Sequence, residues 1–156
     1  MGLAVKPALA AVIAPPAWSP ADPRNGRRGS VLHLESVAGV ALAGAAGALS
    51  RYGLGRALQS WSAEFPWGTL IVNVSGAVGI ALVAALALRA GALAPFLRLD
   101  VMTGFIGAYT TFSTFTLETV LLAQSAPLRA GFYLVGSTAA GLGAVWLGGA
   151  LGGALR

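Results

Sequence analysis

Hydroxyl side chains crowd one apolar stretch of this sequence, Val101-MTGFIGAYTTFSTFTLET-Val120: Thr103, Thr110, Thr111, Ser113, Thr114 and Thr116. Phe105, Phe112 and Phe115 alternate with them, and Gly104 and Gly107 precede the densest part. Thr and Ser packed this closely are weak helix formers, because their hydroxyls compete for nearby backbone groups. The run therefore invites a local break, and the carbonyls and amides that a break frees need partners. At membrane depth, broken helices are tolerated where they line a cavity or an ion site. Phe112 and Phe115 are three residues apart and fall on one helix face. An aromatic edge is electropositive and its face negative, so two such edges can help stabilise a small anion. The plainer reading is a helix whose hydroxyls bond back to their own carbonyls while the phenylalanines pack in lipid or core.

Other polar residues stand alone in apolar surroundings. Asn73 lies mid-segment in GTLIVNVSG; its amide either ties two helices together or offers N–H groups to an anion. Ser75 is similarly ambiguous. Tyr133 and Ser137 are four apart and share a face, where they either line a polar path or join helices. Arg51 follows an apolar run, as a snorkelling interfacial residue or as a positive charge that attracts anions at a vestibule. Glu118 sits one turn past Thr114, and a membrane carboxylate is a functional candidate by default. No nucleotide-binding loop, metal-ligand cluster or acid pair is present. With no cysteine and one histidine, disulfides, thiolate metal sites and imidazole-rich centres are excluded.

These groups must be positioned by a membrane scaffold. Of 156 residues, 56% are hydrophobic and 10% charged, with a mean hydropathy of +0.77. Soluble domains carry about 25% charged residues, so a disordered chain is excluded and a soluble enzyme is disfavoured. The net charge of +5 comes from basic residues scattered singly between apolar runs, which are topology signals rather than a nucleic-acid patch. Residues 1–35 form a proline-rich, basic stretch, read as a flexible tail or an early start rather than a signal peptide. Residues 36–156 then predict an all-α integral membrane domain with four apolar spans, at about 36–57, 66–88, 101–124 and 130–152. The third is the one expected to break. Glycines within the spans favour close helix packing and a compact, oligomeric bundle.

Four spans place both termini on one side, together with Lys6, Arg24, Arg27, Arg28, Arg89, Arg98 and Arg156. Arg51, Arg56 and Arg129 fall on the other. Seven against three favours termini inside. Without the tail the tally is three against three, which specifies no orientation.

Three segments together resemble the Fluc/CrcB fluoride channel family: Gly44-AAGALSRY-Gly53, Gly68-TLIVNVSG-Ala77 and Thr103-GFIGAYTTFSTFTLE-Thr119. TTFSTF after TGF-x-G is the most specific element, and Tyr133-x-x-x-Ser137 also fits. The resemblance implies a four-helix subunit in an antiparallel, dual-topology dimer with two pores, in the cell membrane, passively exporting fluoride to relieve its toxicity. Phe112 and Phe115 match the pore phenylalanines and Asn73 the pore asparagine. Ser113 and Thr114 match the hydroxyl track along the broken helix, and Tyr133 and Ser137 the pore-side pair. Arg51 matches the vestibule arginine and Glu118 the glutamate beyond the phenylalanines. It further implies a structural sodium ion at the dimer centre, held by backbone carbonyls that map onto Gly107 and Thr110 of both subunits. Ala108 stands where the family often has a second glycine. A homodimer is favoured, and the charged tail keeps a heterodimer with a paired homologue open. The alternative outside this family is a small proton-coupled multidrug-type transporter with Glu118 as its carboxylate.

Overall fold

The computed structural model describes residues 34–87 and 96–154, and all regular structure there is helical. The expected tail up to residue 33, Arg89 and Arg156 lie outside the described residues. In chain order the helices are α1 (Leu34–Ala57), α2 (Trp67–Ala87), α3 (Leu97–Ile106), α4 (Gly107–Tyr109), α5 (Phe112–Ser125) and α6 (Pro127–Ala154). Three stretches are long and apolar enough to cross a membrane: Ser36–Ala57, Trp67–Ala87 and Pro127–Gly148. This is an integral membrane architecture. Large apolar side chains such as Leu42, Leu49, Leu142 and Trp146 stand on its outer surface, which suits lipid or a second chain rather than water.

The helix ends follow from the local sequence. Arg56 lies in the last turn of α1, where a cation meets the negative end of the helix dipole; its Nη1 also donates to Gln59 Oε1 at 3.0 Å. Before α2, the Ser62 hydroxyl accepts the Gly68 N–H at 3.3 Å, satisfying one of the donors a helix start leaves open. Pro127 opens α6 directly after the end of α5, a position where its missing N–H costs nothing.

α2 packs most extensively on α6, and α1 on α3. The α1–α3 contact depends on two glycines. A Cβ at Gly47 would run into the Phe105 carbonyl, and one at Gly104 would crowd Val40 and Ala43. Their absence lets the two backbones touch, the usual means of joining helices in lipid. The core is small and consists mainly of Val72, Ala81, Ala84, Ile106, Phe115, Tyr133 and Ala144.

The stretch from Leu97 to Ser125 is divided. α3 is wound as a π-helix, a wide form found mostly at functional sites. Consistent with that winding, the Gly107 N–H reaches the Met102 carbonyl, five residues back. Thr110 (φ −81°, ψ 163°) and Thr111 (φ −150°, ψ 123°) are then extended, and α5 begins at Phe112. α5 has 14 residues, which at 1.5 Å each span about 21 Å, short of the ~30 Å hydrocarbon core.

Candidate functional site

The extended pair Thr110–Thr111 is fixed by side chains. The Thr110 hydroxyl and its N–H both donate to the Ile106 carbonyl at 3.0 Å, closing the last helical turn. Thr111 caps α5: its Oγ1 accepts the Thr114 N–H at 3.2 Å and donates to Thr114 Oγ1 at 3.1 Å. Asn73 clamps the buried Thr111 from α2. Its Nδ2 donates to the Thr111 carbonyl at 2.9 Å, and its Oδ1 accepts the Thr111 N–H at 2.8 Å. One amide thus satisfies both backbone groups of an extended residue inside the bundle, leaving a second amide hydrogen uncommitted to Thr111. A Cβ at Gly76, one turn below Asn73 (i+3), would strike the Thr110 methyl, so glycine there lets the break approach α2.

This arrangement releases two carbonyls. In an unbroken helix Gly107 would receive the Thr111 N–H and Thr110 the Thr114 N–H. Those donors go to Asn73 and to Thr111 Oγ1 instead.

Phe112 and Phe115 sit 6.1 Å apart between ring centroids, tilted by 47°. They do not share an environment, although their spacing puts them on neighbouring parts of one face. Phe115 is buried at 7% exposure, whereas Phe112 points outward at 77%. Phe115 meets Tyr133 edge-on, at 5.1 Å and 61°. Tyr133 is fully buried and donates to Glu118 Oε2 at 2.8 Å. The other carboxylate oxygen of Glu118 accepts the Thr69 hydroxyl at 2.9 Å. Glu118 therefore joins α2, α5 and α6. Ser137, one turn beyond Tyr133 on α6, has a buried hydroxyl with no partner among the described residues. Ser113 is exposed, with its Oγ 3.4 Å from Thr111 Oγ1.

Two clefts border the break. The larger, of about 750 Å³, has Arg51, the loop from Ser62 to Pro66, Thr69, Thr111, Thr114 and Glu118 in its wall. The smaller, of about 300 Å³, is lined by Asn73, Ile106, Thr110, Thr111, Phe112 and Val145 among others. Thr111 is common to both walls. The structure thus gathers Asn73, Thr110, Phe112, Ser113, Thr114, Phe115, Glu118 and Tyr133 around one break, with Arg51 in the wall of the larger cleft. Sequence reasoning missed Thr69 and Phe65. Thr69 precedes Asn73 by four residues, a same-face spacing that marks it. Phe65 carries no such signal.

The profile of the family described as CrcB-like protein, Camphor Resistance (CrcB), matches residues 38–149. Among curated relatives, a fluoride-specific ion channel FluC of Thermus thermophilus is 47% identical over 118 residues, covering 74% of this chain and 94% of that protein. A FluC of Trichormus variabilis is 44% identical over 116 residues, covering 72% and 85%. A FluC of Methylococcus capsulatus is 42% identical over 118 residues, covering 74% of this chain; the chain spans about half of that protein, 52%.

Proposed function

The chain belongs to the CrcB family, and from that premise we propose that it is a fluoride channel, passively releasing fluoride from the cell. It is a channel subunit and not an enzyme. The observation that carries the reading is the shared wall: the break held by Asn73 puts Thr111 between two clefts, one on either side of it.

A small anion loses a large hydration energy on leaving water, and only close hydrogen-bond donors and dipoles can replace it. Hydroxyls of Thr114 and Ser137, the spare amide hydrogen of Asn73 and the ring edges of Phe112 and Phe115 form such a set, bordered by Tyr133, whose single hydroxyl hydrogen goes to Glu118. The Ser137 hydroxyl, buried and without a partner among the described residues, is a donor left available. Arg51 raises the local anion concentration at the mouth of the larger cleft. Glu118 holds the Tyr133 and Thr69 hydroxyls in place.

In this reading α3, α4 and α5 together make the third of four crossings, and Phe112 faces a second, antiparallel copy in a dual-topology dimer with two pores. Its exposure and the outward apolar faces support that assembly, as does the even charge tally of residues 36–156. The plasma membrane is its place. The carbonyls released at Gly107 and Thr110 fit a hard cation, because carbonyl oxygens of two subunits suit sodium. When bound there, sodium would supply a fixed positive charge that offsets nearby anions. A proton-coupled drug transporter finds no support: the relatives are named as fluoride channels.

Purified protein in liposomes loaded with fluoride tests the reading with a fluoride electrode. Rapid release that needs no proton gradient is expected. Fluoride retained as in protein-free vesicles would overturn it.

A further inference from the structure

We propose that Phe65, in the loop between α1 and α2, is a positioning residue for Tyr133, and that this loop is latched onto α6 at two points one turn apart. The inference rests on the fluoride-channel reading. At the outer point Arg129 Nη1 donates to Glu64 Oε2 at 3.2 Å, with both side chains largely exposed. At the inner point the Phe65 ring meets the Tyr133 ring nearly at right angles, 5.3 Å apart and inclined by 81°. Glu64 and Phe65 are neighbours in sequence, while Arg129 and Tyr133 are four apart and lie on one helix face. The loop and the helix are therefore in register over both contacts.

The two contacts are unequal. An exposed ion pair is screened and contributes little. Tyr133 is fully buried, and an edge-on aromatic pair in that setting has both area and geometry in its favour. Tyr133 is gripped between Phe65 and Phe115, and the grip aims its hydroxyl at Glu118 Oε2. Phe65 is itself restrained. Its ring packs on Trp67 at 4.7 Å, and the following Pro66 disfavours helical backbone at position 65. Because Phe65 also lines the larger cleft, losing its ring opens space beside Tyr133. The Tyr133 ring then regains rotamer freedom, and its hydroxyl no longer holds Glu118 in place.

The test uses the full chain in liposomes, with fluoride efflux as one readout. The other is the ¹⁹F NMR line of 3-fluorotyrosine at position 133, assigned by its loss in Tyr133→Phe. Phe65→Ala is expected to slow efflux about tenfold, the scale of losing one aromatic pair. Phe65→Tyr, which keeps the ring, is expected to restore it. In a Tyr133→Phe background Phe65→Ala is expected to change efflux by less than about twofold, because the two residues act through one hydroxyl. Should Phe65→Ala fail to fold, Phe65→Leu keeps bulk without the ring and is expected to show the same loss. Full multiplication of the two losses, or wild-type efflux in Phe65→Leu, would overturn the proposal. A wild-type protein that passes no fluoride would refute the channel reading, and the ¹⁹F line then decides alone. A shifted, broadened line in Phe65→Ala supports positioning, and an unmoved line rejects it.

Discussion

Asn73 shows how one side chain can carry both structure and chemistry. Its amide replaces the backbone partner that the extended Thr111 lacks, and leaving both Thr111 groups unpaired would cost about 1–3 kcal/mol each. Asn73→Leu is therefore expected to lower thermal stability in detergent and to reduce fluoride efflux at least about tenfold, since both effects arise from the same lost bonds. Asn73→Asp keeps the acceptor for the Thr111 N–H but opposes the Thr111 carbonyl with a second acceptor, so its loss is expected to fall between leucine and wild type. Ser137 makes the opposite case. Its buried hydroxyl has no partner among the described residues, so Ser137→Ala is expected to leave melting temperature unchanged or raised while slowing efflux. A fall in both would mean that the hydroxyl serves packing. For the phenylalanines, Phe115→Ile is expected to cost about 1–2 kcal/mol because the ring is buried. Phe112→Ile should barely affect the subunit's stability, and both should reduce efflux; normal efflux in both would reject them as pore residues.

Among the elements, the contact of α1 with α3 is the most sensitive to a single methylene. Gly47→Leu is expected to prevent assembly, visible as aggregation on size exclusion, because its side chain would start inside the Phe105 carbonyl. Gly53→Ala, with nothing within 4 Å of the added carbon, is expected to elute as wild type. The sequence makes part of this architecture legible. Long charge-poor runs mark α1, α2 and α6, and these three helices lie within a few residues of the apolar runs at 36–57, 66–88 and 130–152. The hydroxyl run from Thr110 to Thr114 reads as a weak helix former, and the extended residues lie at its start. What the sequence conceals are contacts between distant segments. Nothing in GTLIVNVSG says that Asn73 will pair with both backbone groups of Thr111, 38 residues on. Nor does the segment LRLDVMTGFI announce π winding in α3, a rare form with no signature of its own in composition. The exposure difference between Phe112 and Phe115 is invisible too, since a three-residue spacing fixes proximity but not depth.

At the scale of the whole molecule, four crossings would leave three basic residues on each side once residues 1–35 are set aside. Deleting residues 1–35 is expected to leave fluoride efflux intact and to randomise insertion. Because the chain has no cysteine, a single introduced cysteine near Arg129 reports this directly: it should be labelled from both sides of the membrane after the deletion. Labelling from one side only would contradict the charge tally.

As a channel, the molecule would use the donors around the Thr110–Thr111 break in place of the water of a small anion, and they would serve a larger one poorly. A planar bilayer containing the purified protein, with fluoride on one side and chloride on the other, measures this in one reversal potential. A reversal potential driven far from zero in the direction of fluoride selectivity, with no detectable chloride current, is expected. A reversal potential near zero, with the two halides carrying comparable current, would contradict it.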